Sequence, residues 1–162
     1  MDDYILIEGY KHNRYKQEVF SESEILKKSK DYFEWANKRR SVRQFSDKEI
    51  PIEILENIIK TASTAPSGAN KQPWTFCVVK SAEIKKEIRL AAEAEERKSY
   101  NERMSDVWLE DLKHLGTDAN KPFLETAPYL IIVFKRVFEY DAEEKKHQNY
   151  YVNESVGLAC GF

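Results

Sequence analysis

"NKRRSVRQFSD", residues 37–47, packs Arg39, Arg40 and Arg43 around Ser41. Like charges this close repel unless an anion lies among them. The stretch ends "SESEILKKSKDYFEWANKRR" (21–40), which predicts a helix. Ser21 and Glu24 have capping-box spacing, and Ile25, Tyr32, Phe33 and Trp35 supply apolar positions. Cations at the carbonyl end of a helix gain ~0.3–1 kcal/mol each from its dipole, which accounts for Lys38, Arg39 and Arg40. Arg43 lies beyond, in an extended stretch. A fork of guanidinium groups with a hydroxyl between them also suits a phosphate, which arginine grips bidentately and stays charged to bind. Helix capping and phosphate binding both remain open on these residues. No GxxxxGK[ST] or GxGxxG competes for a phosphate.

Outward from this stretch, "PIEILENIIKTA" (51–62) predicts a second helix, with Pro51 in its first turn and Leu55, Ile58, Ile59 and Ala62 as its buried stripe. "STAPSGANKQP" (63–73) is dense in breakers and small residues and predicts a loop. "WTFCVVK" (74–80) and "PYLIIVFKRVF" (128–138) are near-continuous apolar runs, as strands in a sheet interior require. Between them, residues 81–115 predict a long helical region. Ile84, Ile88, Ala91 and Ala92 are its apolar positions, and 93–106 is a polar, exposed middle. "EYDAEEKKHQ" (139–148) reads as a solvated loop. "NESVGLACGF" (153–162) opens like a buried helix capped by Asn153. Residues 1–20 read as a tyrosine-rich arm preceding one domain, 21–162.

Helices alternating with apolar strands define an α+β protein, mixed α/β in its layering. Two core strands alone make a marginal sheet. The last helix stops without a cap or a charged final turn. Together these predict a piece of a longer chain, its C-terminal strands and extension missing, in preference to a fold completed by a partner.

Composition excludes several classes. Lys plus Arg number 26 against 28 Asp plus Glu, a net charge of −2, so no nucleic-acid partner is expected. His12, His114 and His147 are scattered without ligand spacing, so no metal is expected. Cys77 and Cys160 sit in apolar runs with no CxxC, which predicts buried thiols in a reducing compartment. The start, "MDDYILIEGYKHNRY", lacks a signal peptide or membrane anchor, so the expected location is cytoplasmic, with no membrane partner.

"RRSVRQFSD…IP" followed by "TAPSGANKQPWTF" resembles the flavin-binding signature of the FMN-dependent nitroreductase family. The resemblance runs from about Asp31 to Phe162, with weaker similarity in the N-terminal arm. It is closest to the branch that dehalogenates halotyrosines, whose lid is matched by Glu96 and Tyr100 in "EAEERKSYNERM" and Lys121 in "DANKPFLETAP". The resemblance implies a nitroreductase-like central sheet flanked by helices, as an intertwined homodimer with FMN at the interface. It implies that Arg39, Arg40, Ser41 and Arg43 hold the FMN phosphate and ribityl chain. Pro66, Ser67 and Gly68 then touch the isoalloxazine of the partner subunit's flavin, and the Ala69 N–H meets the substrate phenolate.

Glu96 and Tyr100 are four apart and share a helix face. In a lid spanning about 93–121, Glu96 would pair the substrate ammonium, Lys121 its carboxylate, and Tyr100 would cover its ring. No residue is catalytic beyond these flavin and substrate contacts. The implied reaction is reductive dehalogenation, with electrons passed one at a time from FMN reduced by a nicotinamide or a reductase. A general FMN-dependent nitro or quinone reductase would share the flavin segments but need no zwitterion lid. A truncated chain that retains no flavin is the non-enzymatic alternative.

Overall fold

The computed structural model describes residues 4–162, and within the segment read as a tyrosine-rich arm the chain forms a hairpin. Strands β1 (Tyr4–Ile7) and β2 (Tyr10–Asn13) pair antiparallel, Tyr4 opposite Asn13. Glu8 and Gly9 turn between them with φ of 51° and 84°, the positive values that a tight two-residue hairpin needs. Met1, Asp2 and Asp3, also assigned to that arm, lie outside the described residues.

Helix α1 (Glu22–Ala36) starts as its spacing predicts. The Glu24 N–H donates to Ser21 Oγ at 3.4 Å, and the Ser21 N–H donates to Glu24 Oε2 at 2.8 Å. Its apolar residues Ile25, Tyr32, Phe33 and Trp35 are all exposed. The helix ends at Ala36, so Lys38, Arg39 and Arg40 follow it and do not sit in its last turn. This strand pair and helix belong to one compact unit, Met1–Val42; Arg43–Phe162 form the other.

In the second unit, α2 (Ile52–Ala62) buries Leu55 and Ala62 but leaves Ile58 exposed, a narrower stripe than predicted. Strand β3 (Trp74–Val79) leads into α3 (Ala82–Lys98). The long helix predicted for 81–115 does not continue: a π-helical turn at 99–103 and an extended Met104 separate α3 from α4 (Asp106–Lys113). The Ser105 hydroxyl then caps α4, accepting from the Trp108 N–H at 3.3 Å. After the short α5 (Phe123–Thr126), strand β4 (Leu130–Lys135) pairs antiparallel with β3, Trp74 opposite Lys135 and Val79 opposite Leu130.

The predicted solvated loop at 139–148 contains a second hairpin, β5 (Phe138–Tyr140) with β6 (Lys146–Gln148). Asp141 Oδ1 builds its turn by accepting the N–H groups of Glu143 and Lys145, each at 2.9 Å. Helix α6 (Val152–Gly161) closes the unit. Tyr151, left-handed at φ 47°, takes the N-cap position given above to Asn153, whose Oδ1 accepts from Lys135 Nζ at 2.9 Å.

The core sits where α6 lies on the strand pair. Ala65, Trp74 and Ala159 are buried together, flanked by Phe76, Val133 and Val156. Ser155 and Ala159, small and almost fully buried, bring α6 close to the sheet. Cys77 is half-buried and Cys160 is exposed, so the predicted burial of both thiols does not hold. Cys160 occupies the outward side of α6, next to buried Ala159.

Candidate functional site

The loop between α2 and β3 is held in an uncommon conformation. Ala69, Asn70 and Gln72 have φ of 49°, 51° and 46°, a left-handed region costly for residues with side chains. Three sets of bonds sustain it. Ser67 Oγ accepts the Gln72 N–H at 2.9 Å. Arg136 donates from its N–H to the Pro73 carbonyl and from Nη2 to the Gln72 carbonyl, both at 2.9 Å. Lys71 pairs with Glu139 of β5 at 2.5 Å, both side chains about a third exposed.

Gly68 is required by close packing. A Cβ there would lie 2.8 Å from Tyr151 Cδ2 and 3.1 Å from the Tyr150 carbonyl oxygen. Among the described residues, the Ala69 N–H meets no acceptor, so the loop presents a free donor on a fixed backbone. Pro66 is exposed and Ser67 half-buried beside it.

The predicted lid residues come together. Lys121 Nζ lies 3.0 Å from Glu96 Oε1 and donates to the Asp118 carbonyl at 2.6 Å. The Lys121 side chain is 16% exposed and that of Glu96 34%, so this pair is more sheltered than an ordinary surface bridge. Tyr100 stands one turn from Glu96, but its hydroxyl donates to Thr117 Oγ1 at 3.0 Å and to neither charged partner. The loop at 67–72 shares no hydrogen bond or ion pair with these three residues among those described.

The polar middle at 93–106 is less exposed than its composition predicts. Glu93 is buried, and its Oε1 accepts from Arg89 Nε at 2.7 Å and from the Lys121 N–H at 2.8 Å. The Lys121 N–H, then Arg89, hold the Glu93 carboxyl below the usual glutamate range despite its burial. One turn earlier, buried Lys85 donates to the Glu125 and Ala127 carbonyls at 2.9 and 2.7 Å. Ile84 is exposed, so α3 turns a charged face to 121–127 where an apolar one was expected.

Of the arginine segment, Arg39, Arg40 and Ser41 belong to the first unit and Arg43 begins the second. All four are exposed. Arg40 donates from Nη1 to the Asn37 and Arg39 carbonyls at 2.6 and 2.8 Å, the helix-end role open to it from sequence. Arg39 and Arg43 have no side-chain partner among the described residues.

Glu93, Thr117, Lys71, Glu139 and Arg136 escaped sequence reasoning. The Arg89–Glu93–Arg97 spacing, charges alternating every fourth residue, was the one available signal for Glu93. Among the described residues, no group of three or more His, Cys, Asp or Glu could hold a metal ion, and no helix is long and apolar enough to cross a membrane.

These features belong to a known class. The nitroreductase family model matches residues 36–161, and the chain is a member of the nitroreductase family, with its mixed α and β fold. Within it, the chain is 57% identical to the iodotyrosine deiodinase of Haliscomenobacter hydrossis over 143 residues, covering 88% of this chain and 64% of that protein. It is 45% identical to human iodotyrosine deiodinase 1 over 154 residues, covering 95% of this chain and 53% of that protein. A solved structure of oxidized iodotyrosine deiodinase bound to FMN and 3-iodo-L-tyrosine superposes with a TM-score of 0.66 at 36% identity, covering 80% of this chain and 64% of that one. The chain therefore spans between half and two thirds of the length of these relatives.

Proposed function

We propose that this chain carries the FMN-binding and lid segments of an iodotyrosine deiodinase-like enzyme that removes halogen from halotyrosines by reduction. The observation that carries the proposal is the sheltered Glu96–Lys121 pair, with Tyr100 one helical turn away. A halotyrosine zwitterion brings one ammonium and one carboxylate, and this pair offers one counter-charge to each.

The residues present also fit FMN. Arg39 and Arg43 keep guanidinium groups without a partner among the described residues, and Ser41 lies between them in the chain. Arg39, Arg40, Ser41 and Arg43 would hold the phosphate side, with Pro66, Ser67 and Gly68 against the ring. Bound and reduced, FMN supplies the two electrons that, with one proton, convert the carbon–halogen bond to carbon–hydrogen and release halide. Ala69 donates its free N–H to the phenolate oxygen and so orients the ring. Glu96 and Lys121 hold the amino-acid end, and Tyr100 excludes water from above.

The same proposal takes residues 21–162 as the family domain, 1–20 as an arm and about 93–121 as the lid. It further takes the working enzyme as a cytoplasmic homodimer with FMN at its interface, reduced by a nicotinamide or a reductase.

Iodide release from 3,5-diiodotyrosine and from 2,6-diiodo-4-methylphenol, which keeps both ortho iodines but lacks the zwitterion, tests this on the FMN-loaded, reduced protein. The zwitterion forms two ion pairs and breaks the one between Glu96 and Lys121, and that net gain of one pair, about 2 kcal/mol, predicts a rate at low substrate about 30-fold higher for diiodotyrosine. Equal rates would remove the lid from the account and leave a general flavin reductase.

A further inference from the structure

The lid pair can receive a zwitterion only if Lys121 stays opposite Glu96. We propose that Glu93 is a positioning residue: its buried carboxylate anchors the Lys121 backbone and so sets the Glu96–Lys121 pair without touching the substrate. The inference rests on the halotyrosine reading of the lid.

Three observations support it. Glu93 is 6% exposed, and burying a carboxylate is costly unless specific donors compensate it. Its Oε1 takes both the Arg89 Nε and the Lys121 N–H, and its Oε2 faces Arg97 Nη1 at 3.7 Å. Glu93 is therefore committed inside the protein, with no oxygen turned to a ligand. Lastly, Glu93 and Glu96 are three apart on α3 and so lie on one face. Glu93 grips the main chain of Lys121 while Glu96 meets its ammonium.

The same face staples the following residues as well. Arg89 bridges to Glu125 at 3.1 Å, and Lys85 holds the Glu125 and Ala127 carbonyls. Lys121 thus belongs to a fixed half of the lid. Tyr100 depends on the π-helical turn and on one hydroxyl contact to Thr117. The fixed half presents the carboxylate-binding ammonium before substrate arrives, and the other half is left to close.

The test begins with amide hydrogen exchange on the unmodified chain. Lys121 should exchange roughly tenfold or more slowly than Ala119, whose N–H has no partner among the described residues. In Glu93→Met, which keeps the length of the side chain but removes the acceptor, that protection should vanish and halotyrosine affinity should fall roughly tenfold or more. FMN affinity and nitroaromatic reduction should not change. Because Glu93 acts through Lys121, adding Glu93→Met to Lys121→Gln should cost no further affinity.

A Lys121 amide that stays protected in Glu93→Met would overturn the proposal. So would an unprotected amide with unaltered affinity, or a further loss in the double variant alongside reduced FMN binding, which marks general unfolding. If the unmodified chain binds no halotyrosine, the proposed function fails instead, and amide exchange still decides whether Glu93 holds Lys121.

Discussion

Because Glu96 and Lys121 pair with each other, a halotyrosine must displace an existing interaction. Binding the zwitterion forms two ion pairs and breaks one, a net gain of one pair. In Glu96→Gln, only the Lys121–carboxylate pair forms and none breaks, so the net is again one; Lys121→Gln behaves likewise. Each single substitution then costs what it takes to leave one end of the zwitterion without its counter-charge, about 1.4 kcal/mol or tenfold. The double substitution forms no pair at all.

The magnitude of that pair follows from its 3.0 Å separation. Coulomb's law gives about 1.4 kcal/mol in bulk water and about 5.5 kcal/mol at an effective dielectric constant of about 20. With side chains 16% and 34% exposed, the pair lies towards the watery end of that range, at ~2 kcal/mol. The double variant should therefore bind halotyrosine about 30-fold more weakly than the product of the two single effects predicts. The assay is the dissociation constant of diiodotyrosine for the oxidised, FMN-loaded chain, read from flavin fluorescence, since KM need not equal it. A double effect equal to or smaller than that product would refute the pair-exchange reasoning.

Three further outcomes are expected. Gly68→Ala puts a Cβ within 3.1 Å of the Tyr150 carbonyl, so the protein should lose ~1–3 kcal/mol by denaturant titration, with the loss of slow-exchanging amides concentrated at 67–73. Trp74→Ala empties the centre of the core and should cost ~3–5 kcal/mol in the same titration. Lys71 holds the Glu139 carboxyl below its ordinary value of 4.5, so folding releases protons from it. That stabilisation is complete above about pH 4.5 and is lost as the pH falls through the lowered folded value. Lys71→Met should flatten the fall of the unfolding midpoint across that acid window; an unchanged slope would mean the pair does not hold the loop.

What could be read from the sequence divides along the range of the forces involved. The Ser21–Glu24 capping box and the apolar runs of β3 and β4 are local patterns, and each appears in the fold. The hairpin at 138–148 did not announce itself, because strands of three residues carry too little alternation and its turn depends on Asp141 bonding backbone two and four residues on.

Burial of Glu93 depends on the N–H of Lys121, 28 residues away, which no window along α3 contains. The break after α3 is similar: nothing between Lys98 and Ser105 is proline or glycine, and the chain leaves the helix through a π-helical turn. At the candidate site, Glu96 and Tyr100 were visible as a pair by helical spacing. Lys121, and the flavin and phenolate roles of Ser67 and Ala69, came only from family resemblance. The free Ala69 N–H needed coordinates, since only the loop's three left-handed residues reveal it.

The most direct measurement is a titration of the 162-residue protein with FMN, followed through flavin fluorescence and completed by adding diiodotyrosine. The account predicts quenching that saturates near one FMN per chain and deepens when diiodotyrosine stacks over the flavin. Fluorescence that tracks free FMN throughout would contradict it, because the arginine segment and the 67–72 loop would then not hold the cofactor.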